Sequence, residues 1–157
     1  SPPPKLLEDP ILLVAPCLPP GGVHRPGGAV SGSIDLTVAR PGGARCVQLT
    51  ITLETEEVLA AAATLHPSKS SGTSAIRRVH NEYTESVGST ASTFYLFSLP
   101  PDAPTSFATP MLAVRWLLRF EIAAQVPGKK GGWDAEKLHW ALPLLVGPSG
   151  EDGEPRA

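Results

Sequence analysis

Between residues 111 and 123 the chain alternates without a break: Leu112, Val114, Trp116, Leu118, Phe120 and Ile122 are interleaved with Ala113, Arg115, Leu117, Arg119 and Glu121. Successive side chains of an extended strand point to opposite faces, so a period of two marks a strand with one face in a core and the other at the surface. Wound as a helix, the same residues would scatter Arg115, Arg119 and Glu121 over the face that carries Leu112 and Trp116, with no continuous apolar stripe. The segment is therefore a strand, and it must bury its apolar face against a second layer. A second run sets Val47, Leu49, Ile51 and Leu53 on one side and Gln48, Thr50, Thr52 and Glu54 on the other. It is rich in β-branched residues and is a strand by the same logic.

Shorter apolar runs predict further strands over 12–16, over 30–38 with Ile34, Leu36 and Val38 inward, and over 76–87, 93–99 and 138–146, about seven in all. Pro20-Gly21-Gly22, Pro26-Gly27-Gly28, Pro41-Gly42-Gly43, Ser70-Ser71-Gly72, Pro100-Pro101-Asp102, Pro127-Gly128 and Gly131-Gly132 separate them, each a sequence that bends the chain. Fifteen glycines and 18 prolines against 18% charged residues fit the same picture. Short strands with no amphipathic helices between them predict an all-β fold of two antiparallel sheets packed face to face, an immunoglobulin-like sandwich. The segment 56–65, with alanines at Ala60 to Ala63, has helix propensity and is expected to form a loop or a short helical turn. Residues 1–10 are expected to be a flexible lead, 11–148 the domain, and 149–157 a disordered tail. At 157 residues a single domain hides roughly 70% of its unfolded surface and needs no covalent staple.

Composition excludes several functions. A net charge of −2 and a pI near 6.1 give no field to attract nucleic acid or an anionic membrane. The adjacent basic pairs, Arg77-Arg78 and Lys129-Lys130, are expected as a solvated strand end and a loop tip. Two cysteines, Cys17 and Cys46, make no disulfide framework and suit a reducing compartment, the cytoplasm. The apolar run at 11–15 follows Glu8, Asp9 and Pro10, so it lacks the basic flank and length of an export signal, and no run approaches the roughly 18 apolar residues of a membrane span. No initiator Met is present, which suggests a fragment.

The residues give no active site. His24, His66, His80 and His139 are dispersed, with no zinc spacing among them or with the cysteines, so Cys17 and Cys46 are expected as ordinary strand residues rather than ligands beside His24, and His139 as an outward residue of the last strand. No serine lies in a nucleophile elbow and no glycine run has the lysine and helix start of a phosphate loop. Glu54, Glu56 and Glu57 are expected as surface charge at a strand end rather than a calcium site, which would need further oxygen ligands. An enzyme would require ionisable groups converging in a cleft, with His80, Glu82 and a serine the set to look for. No catalytic residue, cofactor or metal ligand is assigned. Phe94, Phe97, Trp116, Phe120 and Trp140 are expected in the core, while Tyr83, Tyr95 and Trp133 are less committed. Trp133, beside Lys129, Lys130 and two glycines, is the one candidate partner contact, either an exposed anchor or a ring folded back on the sandwich edge.

Residues 98–109, Ser-Leu-Pro-Pro-Asp-Ala-Pro-Thr-Ser-Phe-Ala-Thr, followed by Leu112 and the strand through Glu121, resemble the proline-bounded loop and following strand of the arrestin-like fold. Phe107-x-Thr109 with Trp116-x-Leu118-Arg119-Phe120-Glu121 is similar to the C-terminal part of the reduced growth phenotype protein family, the arrestin-like partner of the Ric protein. Val47-Gln48-Leu49-Thr50 leading to Leu53-Glu54-Thr55-Glu56-Glu57, His80-x-Glu82, Thr93-Phe94 and Trp140-x-Leu142-Pro143-Leu144 match in the family's order, from about 12 to 148. The resemblance implies a non-catalytic subunit, bound to a Ric-like protein and to a Rab GTPase, in the guanine nucleotide exchange complex of retrograde endosome-to-Golgi transport. It further implies a cytoplasmic protein peripheral to the Golgi, with membrane association only through the complex. Family members carry two arrestin-like lobes, and this chain supplies one, with an alanine tract and glycine-proline loops of its own. The alternative is another arrestin-like adaptor that binds cargo tails or a retromer-like coat. A secreted immunoglobulin-like or carbohydrate-binding module would instead need an export signal and exposed aromatics on one sheet face.

Overall fold

The computed structural model of the chain describes residues 14–36, 45–60, 73–88 and 90–148. The expected lead at 1–10, the tail at 149–157, Val38 and most of the alanine tract with its Ser/Gly loop lie outside the described residues. Nine strands follow in order: β1 (Val14–Cys17), β2 (Val23–His24), β3 (Ala29–Asp35), β4 (Arg45–Ala60), β5 (Thr73–Ser86), β6 (Ser92–Ser98), β7 (Phe107–Ala108), β8 (Leu112–Pro127) and β9 (Trp133–Val146). All seven expected strands are among them. The two additional ones, β2 and β7, are two residues long, too short for any periodicity to register.

The strands form a three-stranded sheet, β1-β3-β6, and a six-stranded sheet, β2-β9-β8-β4-β5, with β7 also paired to β8. Pairing is antiparallel except for β2 beside β9, a departure from the all-antiparallel expectation that lets the chain cross from one sheet to the other. The inner faces meet in one core. Leu49, Ile51 and Leu53 of β4 and Trp116, Leu118, Phe120 and Ile122 of β8 are buried from the larger sheet, and Val30, Ile34, Tyr95 and Phe97 from the smaller. Across the interface Tyr95 meets Phe120 edge-on with centroids 5.7 Å apart, and Phe120 stacks on Trp140 at 5.3 Å. Each large apolar side chain so buried contributes roughly 1.5–3 kcal/mol.

Three expectations need correction. Val47 is exposed, because a bulge opposite Ala123 and Ala124 inserts it between Cys46 and Gln48 and turns buried Cys46 inward instead; an extra residue reverses the facing of everything before it. Phe94 is 75% exposed: Tyr95 and Phe97 hold the inner face of β6, and strict alternation then sends Phe94 and Leu96 outward. The stretch from Glu56 to Ala60 is neither loop nor helix but the end of β4, with Glu56 to Leu59 paired to both β5 and β8 and Ala60 to β5; a central ladder overrides local propensity there.

Tyr95 enters the core by passing over Gly32. A Cβ at that glycine would stand 2.7 Å from the Tyr95 Cζ and 2.8 Å from the Ala15 carbonyl oxygen, which is backbone and cannot give way cheaply. Burial, with a smaller contribution from Cys17, pushes the Tyr95 phenol up to about 12. The variant Gly32→Ala is therefore expected to lower unfolding stability by about 1–3 kcal/mol, read from urea denaturation, whereas Gly88→Ala, where a Cβ meets nothing within 4 Å, leaves the midpoint close to that of the parent chain.

Candidate protein-binding surfaces

The β8–β9 hairpin carries the residue singled out in the sequence. Gly128 N–H donates to the Gly132 carbonyl at 2.9 Å, and Gly131 and Gly132 turn with φ of 82° and 77°, angles that side chains with a Cβ rarely adopt. The turn delivers Trp133 to the first position of β9, where it is 43% exposed. The Arg45 guanidinium lies 3.8 Å from the ring centroid. One ring face therefore lies against a cation, which helps to fix the indole, and under half of the residue is open to solvent. Trp133 is thus held by the end of β4 rather than folded into the core.

From this hairpin the outer face of the larger sheet runs as a polar field centred on Glu54. Its carboxylate, fully buried, accepts from Arg77 Nε at 2.5 Å and Nη2 at 2.7 Å, from Thr52 Oγ1 at 2.5 Å and from Arg119 Nε at 3.2 Å. Glu54 sits on the central strand with Arg77 on β5 and Arg119 on β8, so the network crosses three strands. Burial raises the carboxyl pKa, but the hydrogen bonds from Arg77, Thr52 and Arg119 together outweigh it, and the net shift is downward. Glu56 pairs with Arg115 and, more loosely, Glu121 with Lys137 at 3.6 Å. Glu54 was expected as surface charge; the correction follows from the long side chains of its arginine neighbours, which close over it.

The smaller sheet presents the opposite character. Phe94 and Leu96, 75% and 67% exposed, rise from β6 beside the small residues of β3 and β1, and with Ala15, Cys17, Ser31 and Ser33 they line a shallow hollow of about 480 Å³. Nothing in the composition pointed here; strand parity on β6, anchored on Tyr95, was the signal that would have found it.

The remaining candidates separate. Cys17 is exposed on β1, Cys46 buried on β4 and His24 buried on β2, and among the described residues no three His, Cys, Asp or Glu come together as a metal-holding group. His80 turns inward, its Nε2 2.9 Å from Thr55 Oγ1 and its ring 4.8 Å from Trp116; burial and Arg78 lower its pKa, against a smaller opposite effect of Asp102. Glu82 lies exposed across from Thr52, so the two do not converge. The loop motif is a brace: Trp116 Nε1 donates to the Pro104 carbonyl at 2.7 Å, Val146 N–H donates to Ser106 Oγ at 3.0 Å, and Leu112 N–H donates to Thr109 Oγ1 at 3.0 Å.

Because the folded pKa of Glu54 is depressed, its contribution is fully present above the ordinary glutamate value of 4.5 and is lost as the pH falls below it. The variant Glu54→Gln is expected to cost about 1–3 kcal/mol near neutrality. The gap between the variant and the parent chain should narrow as urea titrations are repeated at pH values descending from 4.5; a gap that stays constant would remove the carboxylate from the account of acid stability.

No curated protein matches the chain. Among solved structures it is similar to Spo0M, a sporulation control protein from Bacillus subtilis, at 16% identity and a TM-score of 0.49; the match covers 85% of this chain and 48% of that one, so the chain spans about half of that protein's length. The family model of Rgp1 matches residues 22–125, from the 3-10 turn before β2 through all but the end of β8 and well over half of the sequence, and on that match the chain belongs to the Rgp1 family.

Proposed function

We propose that this chain is a non-catalytic protein-binding subunit of the guanine nucleotide exchange complex that acts on a Golgi Rab GTPase in retrograde endosome-to-Golgi transport, seated against a Ric-like subunit. The observation that carries the reading is the family match over 22–125, since Rgp1 proteins are in general subunits of a Golgi Rab exchange complex. The geometry adds support of a physical kind. A half-exposed tryptophan held rigid by a guanidinium loses little freedom on docking, and tryptophan and arginine are the residue types that most often dominate interface energies. Trp133 with Arg45 is accordingly the contact assigned to the partner. No helix among the described residues is long and apolar enough to cross a membrane, and attachment to the Golgi, on the cytoplasmic side, is assigned to the assembled complex rather than to this chain.

Titration of the purified chain with a purified Ric-like subunit, followed by calorimetry, tests this. Saturable binding is expected, weakened about 10-fold or more by Trp133→Ala, with the circular dichroism of the variant unchanged. Failure of the parent chain to bind, together with recovery of only coat components or cargo tails from cytosol, would replace the exchange subunit by an arrestin-like adaptor.

A further inference from the structure

Strand β5 is an outer edge of the six-stranded sheet: its one described partner is β4, and no described strand pairs with its other side. Along the 14 residues of β5 the backbone donors and acceptors of alternate residues face away from β4 and have no strand partner among the described residues, a template for another strand. Its side chains are correspondingly open, with Ile76 61% and Tyr83 39% exposed. Charges and a bulge ordinarily blunt such an edge, and β5 has both: Arg77, Arg78, Glu82 and Glu85 on the strand, and a bulge where Leu53 pairs with Asn81 and Glu54 with Val79, skipping His80.

On this strand the two devices are arranged symmetrically. We propose that two copies of the chain pair antiparallel through β5 about a two-fold axis passing between Val79 and His80, joining their larger sheets into one. The bulge decides which registers are open. Before it, Ala75 and Arg77 share the outer face with Val58 and Glu56 of β4; after it, Glu82 and Thr84 share that face with Thr52 and Thr50. Directly opposite residues of an antiparallel pair point to the same side, so a two-fold pairing must set odd-numbered residues of one arm against even-numbered residues of the other.

The register centred between Val79 and His80 does so and satisfies the chemistry as well. Arg77 stands opposite Glu82 of the other copy on the outer face, and Ile76 opposite Tyr83 on the inner face. Arg78 stands opposite Asn81, and no like charges are opposed. Of the two neighbouring registers compatible with the faces, one sets Ile76 against Glu85 and Val79 against Glu82, an aliphatic side chain beside an acid in each arm, and the other sets Ile76 against Asn81 and Ala75 against Glu82, which loses both the ion pair and the apolar pair. Opposite charges and apolar pairs across strands stabilise a ladder, and like charges weaken it. A self-complementary patch is what a two-fold interface requires. The bulge falls at the axis, where Val79 on the outer face and inward-turned His80 cannot pair with each other across it, so the ladder is interrupted over these two central positions and both arms beyond them stay regular. A foreign strand would have to supply the same alternation, which β5 already supplies to itself.

Sedimentation equilibrium of the full chain across a concentration series is expected to show association to twice the chain mass, lost on Glu82→Arg, which opposes Arg77 with a second cation. Because a variant can lose association by misfolding, circular dichroism of Glu82→Arg is compared with the parent. A second arm uses Ala75→Cys with Thr84→Cys on a Cys17→Ser background. The two new thiols lie at opposite ends of β5 within one chain and face each other only across the proposed axis, so mild oxidation is expected to yield a covalent dimer. A chain that stays at a single mass at every concentration overturns the proposal. So does association that survives Glu82→Arg without the cross-link, or assembly beyond two copies.

Discussion

Strand β8 hydrogen-bonds to β4 along one side and to β9 and then β7 along the other, and its inner face supplies Trp116, Leu118, Phe120 and Ile122, none of which meets solvent. The alternation of this one strand is the constraint on which the fold depends. Its apolar face cannot be satisfied by its own sheet, so a second layer must cover it, and Tyr95 and Phe97 of β6 with Val30 and Ile34 of β3 are what the chain provides. Trp116 marks the limit of that cover. Its indole reaches the Pro104 carbonyl and its ring lies beside His80, so at this end of the sandwich a proline-bounded loop and a histidine take the place of a further strand.

The outer face of the same sheet solves a different problem. Three neighbouring strands, β5, β4 and β8, could slide against one another by two residues at small cost in core packing, since the inner alternation would be preserved. Glu54 opposes such a slide. Its two oxygens are shared among Arg77, Arg119 and Thr52, and a shift of either neighbour would leave a carboxylate without its partners in a place that water does not reach. Removing one member of such a group costs more than the group contributes as a whole, and that asymmetry favours a single register. The polar face is in this sense part of the folding specification, although it makes no contact with the core.

How much of this was legible depends on whether a feature is periodic. The strands at β4 and β8 announce themselves because their alternation is long, and the core they form follows directly. What the periodicity does not carry is its own interruptions. The bulge at Val47 and the one opposite Leu53 each displace a face by one residue, and no residue type at either place distinguishes a bulged strand from a regular one. Phe94 was misplaced for a simpler reason: four aromatic or aliphatic residues in a row, Phe94 to Phe97, carry no polar residue to fix the parity, and only the burial of Tyr95 over Gly32 decides it. Trp133 was visible as an odd aromatic in a glycine turn, but its stacking on Arg45 joins residues far apart in the sequence and needed the fold to bring them together.

The three surfaces differ in what they can recognise, and the difference follows from which side of which strand is left over. The larger sheet has spent the centre of its outer face on internal ion pairs around Glu54, so a partner there meets charges already neutralised by neighbours, with Trp133 and Arg45 at the hairpin rim as groups still able to gain from desolvation. The smaller sheet has no charged residue lining its hollow, and offers Phe94 and Leu96 above a floor of small side chains. At β5 the groups without a strand partner among the described residues are those of the backbone, and they suit an extended chain rather than any particular side chain. With no helix covering a sheet among the described residues, all three kinds of surface are open at once, and a sandwich of this kind has separate faces for more than one neighbour.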